Sequence, residues 1–113
     1  MKEYLFFYRA GYTSMPTGTP EETQAMTKRW MDWLGGIAAQ NKIVDMGKRL
    51  ADTGKVVKGN DVVVNGPFVE IKESIGGYSV VKVASYDEAV ELAKGCPILT
   101  IGGHVEVREV SPL

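Results

Sequence analysis

The stretch GGYSVVKVASYDEAVELA, residues 76–93, decides the fold because it holds a strand, a helix start and a helix in succession. Residues 76–84 predict a strand, since Val81 and Val83 share one face and alternate with other side chains. Ser85 and Glu88 have the spacing of a capping box, which predicts that a helix begins here. The apolar side of this helix consists of Ala89, Val90, Leu92 and Ala93.

A longer helix is predicted upstream, from Thr19 to about Asn41. Thr19 has the position of an N-cap, Pro20 follows at the first helical position, and Glu22 completes a second capping box. Apolar residues then recur at helical spacing, at Met26, Trp30, Trp33, Leu34, Ile37 and Ala38. Gly35-Gly36 lies inside this helix, and either allows another backbone to approach closely or weakens the last turns.

The remaining segments predict four further strands or strand pairs. They are residues 3–9, residues 43–50 with a bulge at Gly47, a hairpin formed by residues 56–57 and 61–64, and residues 103–110. The element order is therefore β-α-β-β-α-β with an extra β-hairpin in the middle. We expect an α+β fold of the ferredoxin-like type, with an antiparallel sheet and both helices on one face.

Alternation along the strands divides the predicted sheet into two faces. We expect the helices to cover Leu5, Phe7, Val81, Val83, Val105 and Val107. The second face then carries Tyr4, Phe6, Tyr8, Tyr78, Val80 and Val110, with Lys82, His104, Glu106 and Arg108 near them. If this aromatic face stayed exposed, it would be a large apolar patch on the surface of a monomer. We therefore favour a homodimer formed through the sheet face over a monomer with an open ligand groove.

Bulk composition excludes several classes of protein. The chain has 113 residues, of which 44% are hydrophobic and 24% charged, and its net charge is −1, so no basic surface for nucleic acid is expected. No apolar run approaches the roughly 20 residues of a membrane span, and the N-terminus does not have the pattern of a signal peptide. One cysteine cannot form a disulfide within the chain. We therefore expect a cytoplasmic protein of one domain.

Sequence motifs for cofactors and metals are missing as well. The chain contains no phosphate-binding loop and no dinucleotide-binding glycine pattern, so we expect no cofactor. One histidine and one cysteine supply too few of the usual ligands for a zinc site, so no metal is expected.

Several linked motifs in the second half resemble the YCII-related family, in particular its branch named for an Asp-Gly-Pro-Phe (DGPF) motif. They are NGPFVEIKE (65–73), IGGY (75–78), Cys96-Pro97 and GGHVEVR (102–108). The resemblance covers nearly the whole chain, residues 1–113, as a single YCII-related (DGPF-type) domain. It implies a ferredoxin-like unit that pairs into a dimeric α/β barrel, but it implies no single reaction.

One departure from the motif concerns its leading Asp, which is Asn65 here. In the wider family this carboxylate, together with a histidine, looks like a candidate acid/base pair. Asn forms hydrogen bonds but does not titrate near neutral pH, which puts that proton-transfer role in doubt for this chain. Asn65 and Gly66 either line a cleft through their backbone groups or only form a stiff turn.

His104 is the candidate catalytic residue because it alone is expected to titrate, unperturbed, between about pH 5 and 8. It is either a general base or ligand contact, or a hydrogen-bonded histidine of an interface. The enzyme hypothesis needs His104 within hydrogen-bond reach of a carboxylate or ligand, and it is dropped if His104 is exposed on the outer rim without a polar neighbour.

Other side chains are candidates for ligand binding. Tyr8, Tyr78 and Arg108 are assigned to positioning a substrate, and Glu70 either contacts a ligand, forms a salt bridge or lies on a solvated edge. Guanidinium groups bind carboxylates and phosphates, although the sequence does not show whether Arg9, Arg49 and Arg108 converge. Cys96 is interpreted as a structural thiol.

Three functions fit these features. The first is a small-molecule-binding homodimer that performs cofactor-free acid/base chemistry with His104. The second is a non-catalytic ligand-binding or accessory module, and the third is an oligomeric scaffold without a cleft. An enclosed pocket that touches His104 would favour the first two over the third.

Overall fold

A four-stranded antiparallel sheet with two helices packed on one face forms the body of the protein in the computed structural model, which describes residues 1–10, 18–66 and 74–112. The elements are β1 (Lys2–Arg9), α1 (Pro20–Ala39), β2 (Ile43–Asp45), β3 (Gly54–Val57), β4 (Val63–Gly66), β5 (Ile75–Val83), α2 (Tyr86–Ala93), a 3₁₀ helix (Pro97–Ile101) and β6 (His104–Glu109). The main sheet has the order β2-β5-β1-β6. The predicted α+β, ferredoxin-like βαββαβ fold is confirmed.

Both helices begin at the predicted caps. The Thr19 hydroxyl accepts a hydrogen bond from the backbone N–H of Glu22, and the Ser85 hydroxyl accepts one from the backbone N–H of Glu88. The Glu88 carboxylate completes its capping box by accepting from the backbone N–H of Ala84. α1 ends at Ala39, two residues before the predicted end. A Cβ on Gly35 or Gly36 would meet no atom within 4 Å, so within the described residues no backbone approaches there.

The extra hairpin is confirmed as a two-stranded sheet of its own, but its second strand lies two residues later than predicted, so Asn65 and Gly66 belong to the strand and not to a turn. β3 pairs with β4 in antiparallel register, from Gly54 opposite Gly66 to Val57 opposite Val63, and neither strand joins the main sheet. Val57 and Val63 are exposed. An isolated pair of strands buries little apolar surface, so this hairpin adds little to the core.

The second strand is shorter than predicted, because it ends at Asp45 and does not continue to residue 50. The pairing with β5 shifts register between Ile43 and Asp45, and Gly47 has a left-handed φ of 86°. A Cβ on Gly47 would collide with the carbonyl oxygen of Tyr78. The chain still follows β5, since the backbone N–H of Leu50 donates to the carbonyl of Gly76.

The predicted facing of β1 is wrong. Tyr4, Phe6 and Tyr8 are buried with Val81 and Val83 under the helices. The register explains this, because directly paired residues of an antiparallel sheet point to the same side: Tyr4 lies opposite Val81, and Leu5 lies opposite Val80. Leu5 and Phe7, which were expected beneath the helices, are therefore on the opposite face.

Candidate functional site

The face of the main sheet turned away from the helices, called the open face below, carries a mixture of apolar and charged side chains. β1 contributes Leu5, Phe7 and Arg9, β5 contributes Tyr78, Val80 and Lys82, and β6 contributes His104, Glu106 and Arg108. Four apolar or aromatic side chains at the centre of this face are half-buried: Leu5, Phe7, Tyr78 and Val80. The structure thus brings three predicted site residues, Tyr78, His104 and Arg108, to one surface.

An ion pair joins β1 to β6 on this face. The Nε of Arg9 donates to Oε1 of Glu106 at 2.9 Å, and Nη2 of Arg9 lies 2.7 Å from the same oxygen. Nη1 of Arg108 lies 3.6 Å from the other carboxylate oxygen. The hydrogen bonds from Arg9, together with the positive charges of both arginines, hold the pKa of the Glu106 carboxyl below its usual value. Two of the three candidate arginines therefore converge here.

Arg49 does not join them. It forms a bridge with Gly77 at the β2 side of the sheet, and β1 and β5 separate that side from β6. The sequence alone did not distinguish these arginines, whereas the pairing of β1 with β6 does.

His104 lies at the start of β6, which is an edge strand of the main sheet. It is exposed and directly opposite Arg9 in the pairing with β1. Within the described part of the chain, its ring has no hydrogen bond or ion pair. A catalytic histidine is usually oriented by a partner such as a carboxylate, and Arg9, the neighbour across the strand pair, is a cation. A catalytic role for His104 therefore needs a partner group from outside the described residues.

Tyr8 lies on the helix side of the sheet, away from His104, Tyr78 and Arg108. Its hydroxyl donates to the hydroxyl of Ser79 at 2.7 Å, and Ser79 donates in turn to the carbonyl of Met46 at 2.7 Å. The Tyr8 ring packs edge-on against Trp30. Burial raises the pKa of the Tyr8 phenol far above its usual value, so the group is neutral at physiological pH. These contacts give Tyr8 a structural task in the core.

The structure places Asn65 on β4, in the separate hairpin. Its side-chain oxygen accepts a hydrogen bond from Nζ of Lys55 at 2.6 Å, across from it on β3. The motif residues 67–73, including Glu70, lie outside the described residues. Asn65 therefore belongs to a different sheet from Tyr78, His104 and Arg108.

Cys96 is buried after α2, as expected for a structural thiol. Burial raises its pKa to about 12, so the thiol is protonated and unreactive near neutral pH. Among residues 1–10, 18–66 and 74–112, no three or more His, Cys, Asp or Glu side chains lie together as a metal site would require. No helix in these ranges is both long and apolar enough to cross a membrane.

Two features of the open face were not predicted from the sequence. Leu5 and Phe7 were assigned to the core, and the ion pair between Arg9 and Glu106 was not predicted. The register between β1 and β6 would have revealed both, because it sets Phe7 opposite Glu106 and Leu5 opposite Arg108. A sequence does not display a register directly when both faces of a strand are apolar.

A solved structure supports the fold independently. The chain resembles 5-chloro-2-hydroxyhydroquinone dehydrochlorinase (TftG) from Burkholderia phenoliruptrix AC1100, solved in complex with 2,5-dihydroxybenzoquinone. The TM-score is 0.50 and the identity 17%, over 96% of this chain and 93% of the other. At this identity the likeness concerns the fold. No curated protein matches the chain at a significant level.

Fold and open face together define the class: a small α+β protein with a ferredoxin-like sheet, helices on one side and a partly apolar surface on the other. A family model described as the YCII-related domain matches residues 3–113. The chain belongs to the YCII-related family.

Proposed function

We propose that this protein binds a small organic molecule at the open face, and that two copies of the chain pair through this face to enclose the ligand in a dimeric α/β barrel. The observation that carries the proposal is the row of half-buried apolar side chains, Leu5, Phe7, Tyr78 and Val80, beside the ion pair of Arg9 and Glu106. Apolar surface of this kind gains free energy when it is covered. Polar groups at its edge then give a ligand its orientation.

Non-catalytic binding takes precedence over catalysis because His104 is exposed and opposite a cation. Tyr78, His104 and Arg108 form the proposed ligand surface. Asn65 lies in the separate hairpin and Glu70 lies outside the described residues, so neither is assigned to this surface. Tyr8 supports this surface from behind, through its bond to Ser79.

The dimer is tested by changing the centre of the open face. We expect the parent chain to have a mass near twice 12.3 kDa by light scattering at micromolar concentration. Val80→Lys introduces a charge into the contact and should yield monomers whose circular dichroism is unchanged. Val90→Lys, at an exposed apolar position on α2, is the matched control and should remain dimeric. A parent mass near 12.3 kDa would refute the dimer.

Ligand binding is tested with 2,5-dihydroxybenzoquinone, the compound bound to the structurally similar dehydrochlorinase. Isothermal titration calorimetry should detect saturable binding to the parent chain and weaker binding to Tyr78→Ala. Absence of heat with this probe and with a panel of aromatic acids and amides would refute a small-molecule site.

Acid/base catalysis by His104 is the second candidate, favoured by its place on the same face as Tyr78 and Arg108. The test is chloride release from 5-chloro-2-hydroxyhydroquinone, with His104→Gln as the variant. Release that His104→Gln abolishes without weakening 2,5-dihydroxybenzoquinone binding supports catalysis. No release, or equal release by both proteins, removes His104 from a catalytic role in this reaction.

A further inference from the structure

Two parallel columns of side chains give the open face a direction. On the edge strand β6 the column is His104, Glu106 and Arg108, and on β1 the residues directly opposite are Arg9, Phe7 and Leu5. Leu5 and Phe7 continue into Val80 and Tyr78 of β5. A charged column therefore borders an apolar surface two strands wide.

At this charged column, Arg9 contacts Glu106 more closely than Arg108 does. Glu106 receives two close nitrogens from Arg9, at 2.9 and 2.7 Å, whereas Arg108 stands 3.6 Å away on its other oxygen. The Arg108 side chain is 67% exposed. Arg9 thus takes most of the hydrogen-bonding capacity of one Glu106 oxygen, whereas most of the Arg108 fork is open to an incoming anion.

Among the described residues, the other charged side chains near this face do not neutralise Arg108. Glu3 and Lys82 lie directly opposite each other in the pairing of β1 with β5, so their charges offset one another. Glu109 points to the helix side with Tyr4 and lies 3.9 Å from Lys2. Glu106 remains the carboxylate beside Arg108 among the described residues.

We propose that the ligand of the open face is a planar organic anion, whose apolar part lies on Leu5, Phe7, Tyr78 and Val80 and whose carboxylate or phenolate binds Arg108. This inference rests on the proposed small-molecule function and specifies its ligand class. Arg9 acts as a positioning residue, because it holds Glu106 and so keeps this carboxylate from fully neutralising Arg108. Glu106 in turn disfavours a second negative group on the ligand, so a monoanion binds best.

The test compares benzoate with benzamide, which has the same shape and no charge, by calorimetry on the full chain. A hydrogen bond to a charged group is stronger than one between neutral groups, so we expect benzoate to bind about tenfold more tightly, which corresponds to about 1.4 kcal/mol. Arg108→Gln should remove this preference by weakening benzoate alone, and Arg108→Lys should retain part of it. Arg29→Gln, at an exposed arginine on α1, is the matched control and should leave both affinities unchanged.

Ionic strength provides a second measurement that does not depend on a variant. Added NaCl should weaken benzoate binding and leave benzamide binding unchanged, since salt screens the attraction between the anion and Arg108. Equal binding of the two compounds, or an unchanged benzoate affinity in Arg108→Gln, overturns the anion proposal while small-molecule binding stands. Failure of both compounds to bind at millimolar concentration overturns the anion proposal, and failure of 2,5-dihydroxybenzoquinone as well overturns the proposed function itself.

Discussion

The buried chain of hydrogen bonds from Tyr8 through Ser79 to Met46 makes a strong prediction for Ser79→Ala. The substitution removes two bonds of 2.7 Å and leaves the buried Tyr8 hydroxyl without its acceptor. An unsatisfied buried donor costs about 1–3 kcal/mol, so we expect a loss of about 2 kcal/mol in the free energy of unfolding. For a domain of this size this is a fall of about 8 °C in Tm.

A double-mutant cycle distinguishes the coupling between these hydrogen bonds from the effect of losing side-chain volume. Tyr8→Phe should cost about 1 kcal/mol, because Ser79 keeps its bond to Met46. The double variant should cost about 2 kcal/mol and not the sum of about 3, since no donor is then left unpaired. Urea unfolding followed by tryptophan fluorescence gives these values, and Ser111→Ala, at an exposed serine, is the control.

Two results would contradict this reasoning. Additive effects in the cycle, or a Ser79→Ala variant within about 0.5 kcal/mol of the parent, would show that the two hydroxyl groups are not coupled. A Tyr8→Phe variant with unchanged stability and altered affinity for 2,5-dihydroxybenzoquinone would place the phenol on the ligand side of the sheet.

Three further substitutions or treatments probe other parts of the structure. Gly35→Ala should stabilise the protein by about 1 kcal/mol in urea unfolding, because this helical position is exposed and has free space for a Cβ; destabilisation would reveal a contact there. The hydrogen bonds from Lys42 and from the backbone of Ala84 hold the pKa of Glu88 below its ordinary 4.5, so Glu88 contributes stability at pH 6 that is lost as the pH falls through its folded-state pKa. The difference in urea midpoint between the parent and Glu88→Gln should therefore shrink below about pH 4.5, and a constant difference would exclude this linkage. Cys96 should react with a thiol reagent only after unfolding, and rapid labelling of the native protein would contradict its burial.

Local signals predicted the elements well, since caps and alternation act over a few residues. Ser85 and Glu88 correctly predicted the start of α2, and Val81 and Val83 correctly predicted the buried face of β5. β1 was harder because every residue from Tyr4 to Tyr8 is apolar or aromatic, so alternation alone leaves its facing open. Ser79 explains the observed facing of β1. Its buried hydroxyl on β5 accepts a hydrogen bond from the Tyr8 phenol, and this bond allows a tyrosine to be buried in the core.

In the candidate site too, local spacing predicted some features, whereas others depend on how the strands pair. His104 and Arg108 share a face with Tyr78, as their spacing along β5 and β6 predicted. The ion pair of Arg9 with Glu106 joins residues from opposite ends of the chain, so it depends on tertiary register, which local patterns do not encode.

The strand order β2-β5-β1-β6 also constrains how the chain folds as it is synthesised. β1 is synthesised before both of its neighbours, which belong to the last part of the sequence: Lys2 pairs with Val83, and Tyr4 pairs with Glu109. Both edges of β1 therefore remain unpaired until β5 and β6 have been synthesised. Such distant pairings slow folding and lengthen the interval in which nascent chains can aggregate. The protein's yield in cells should accordingly rise when chaperones that shield unpaired strands such as β1 are overproduced.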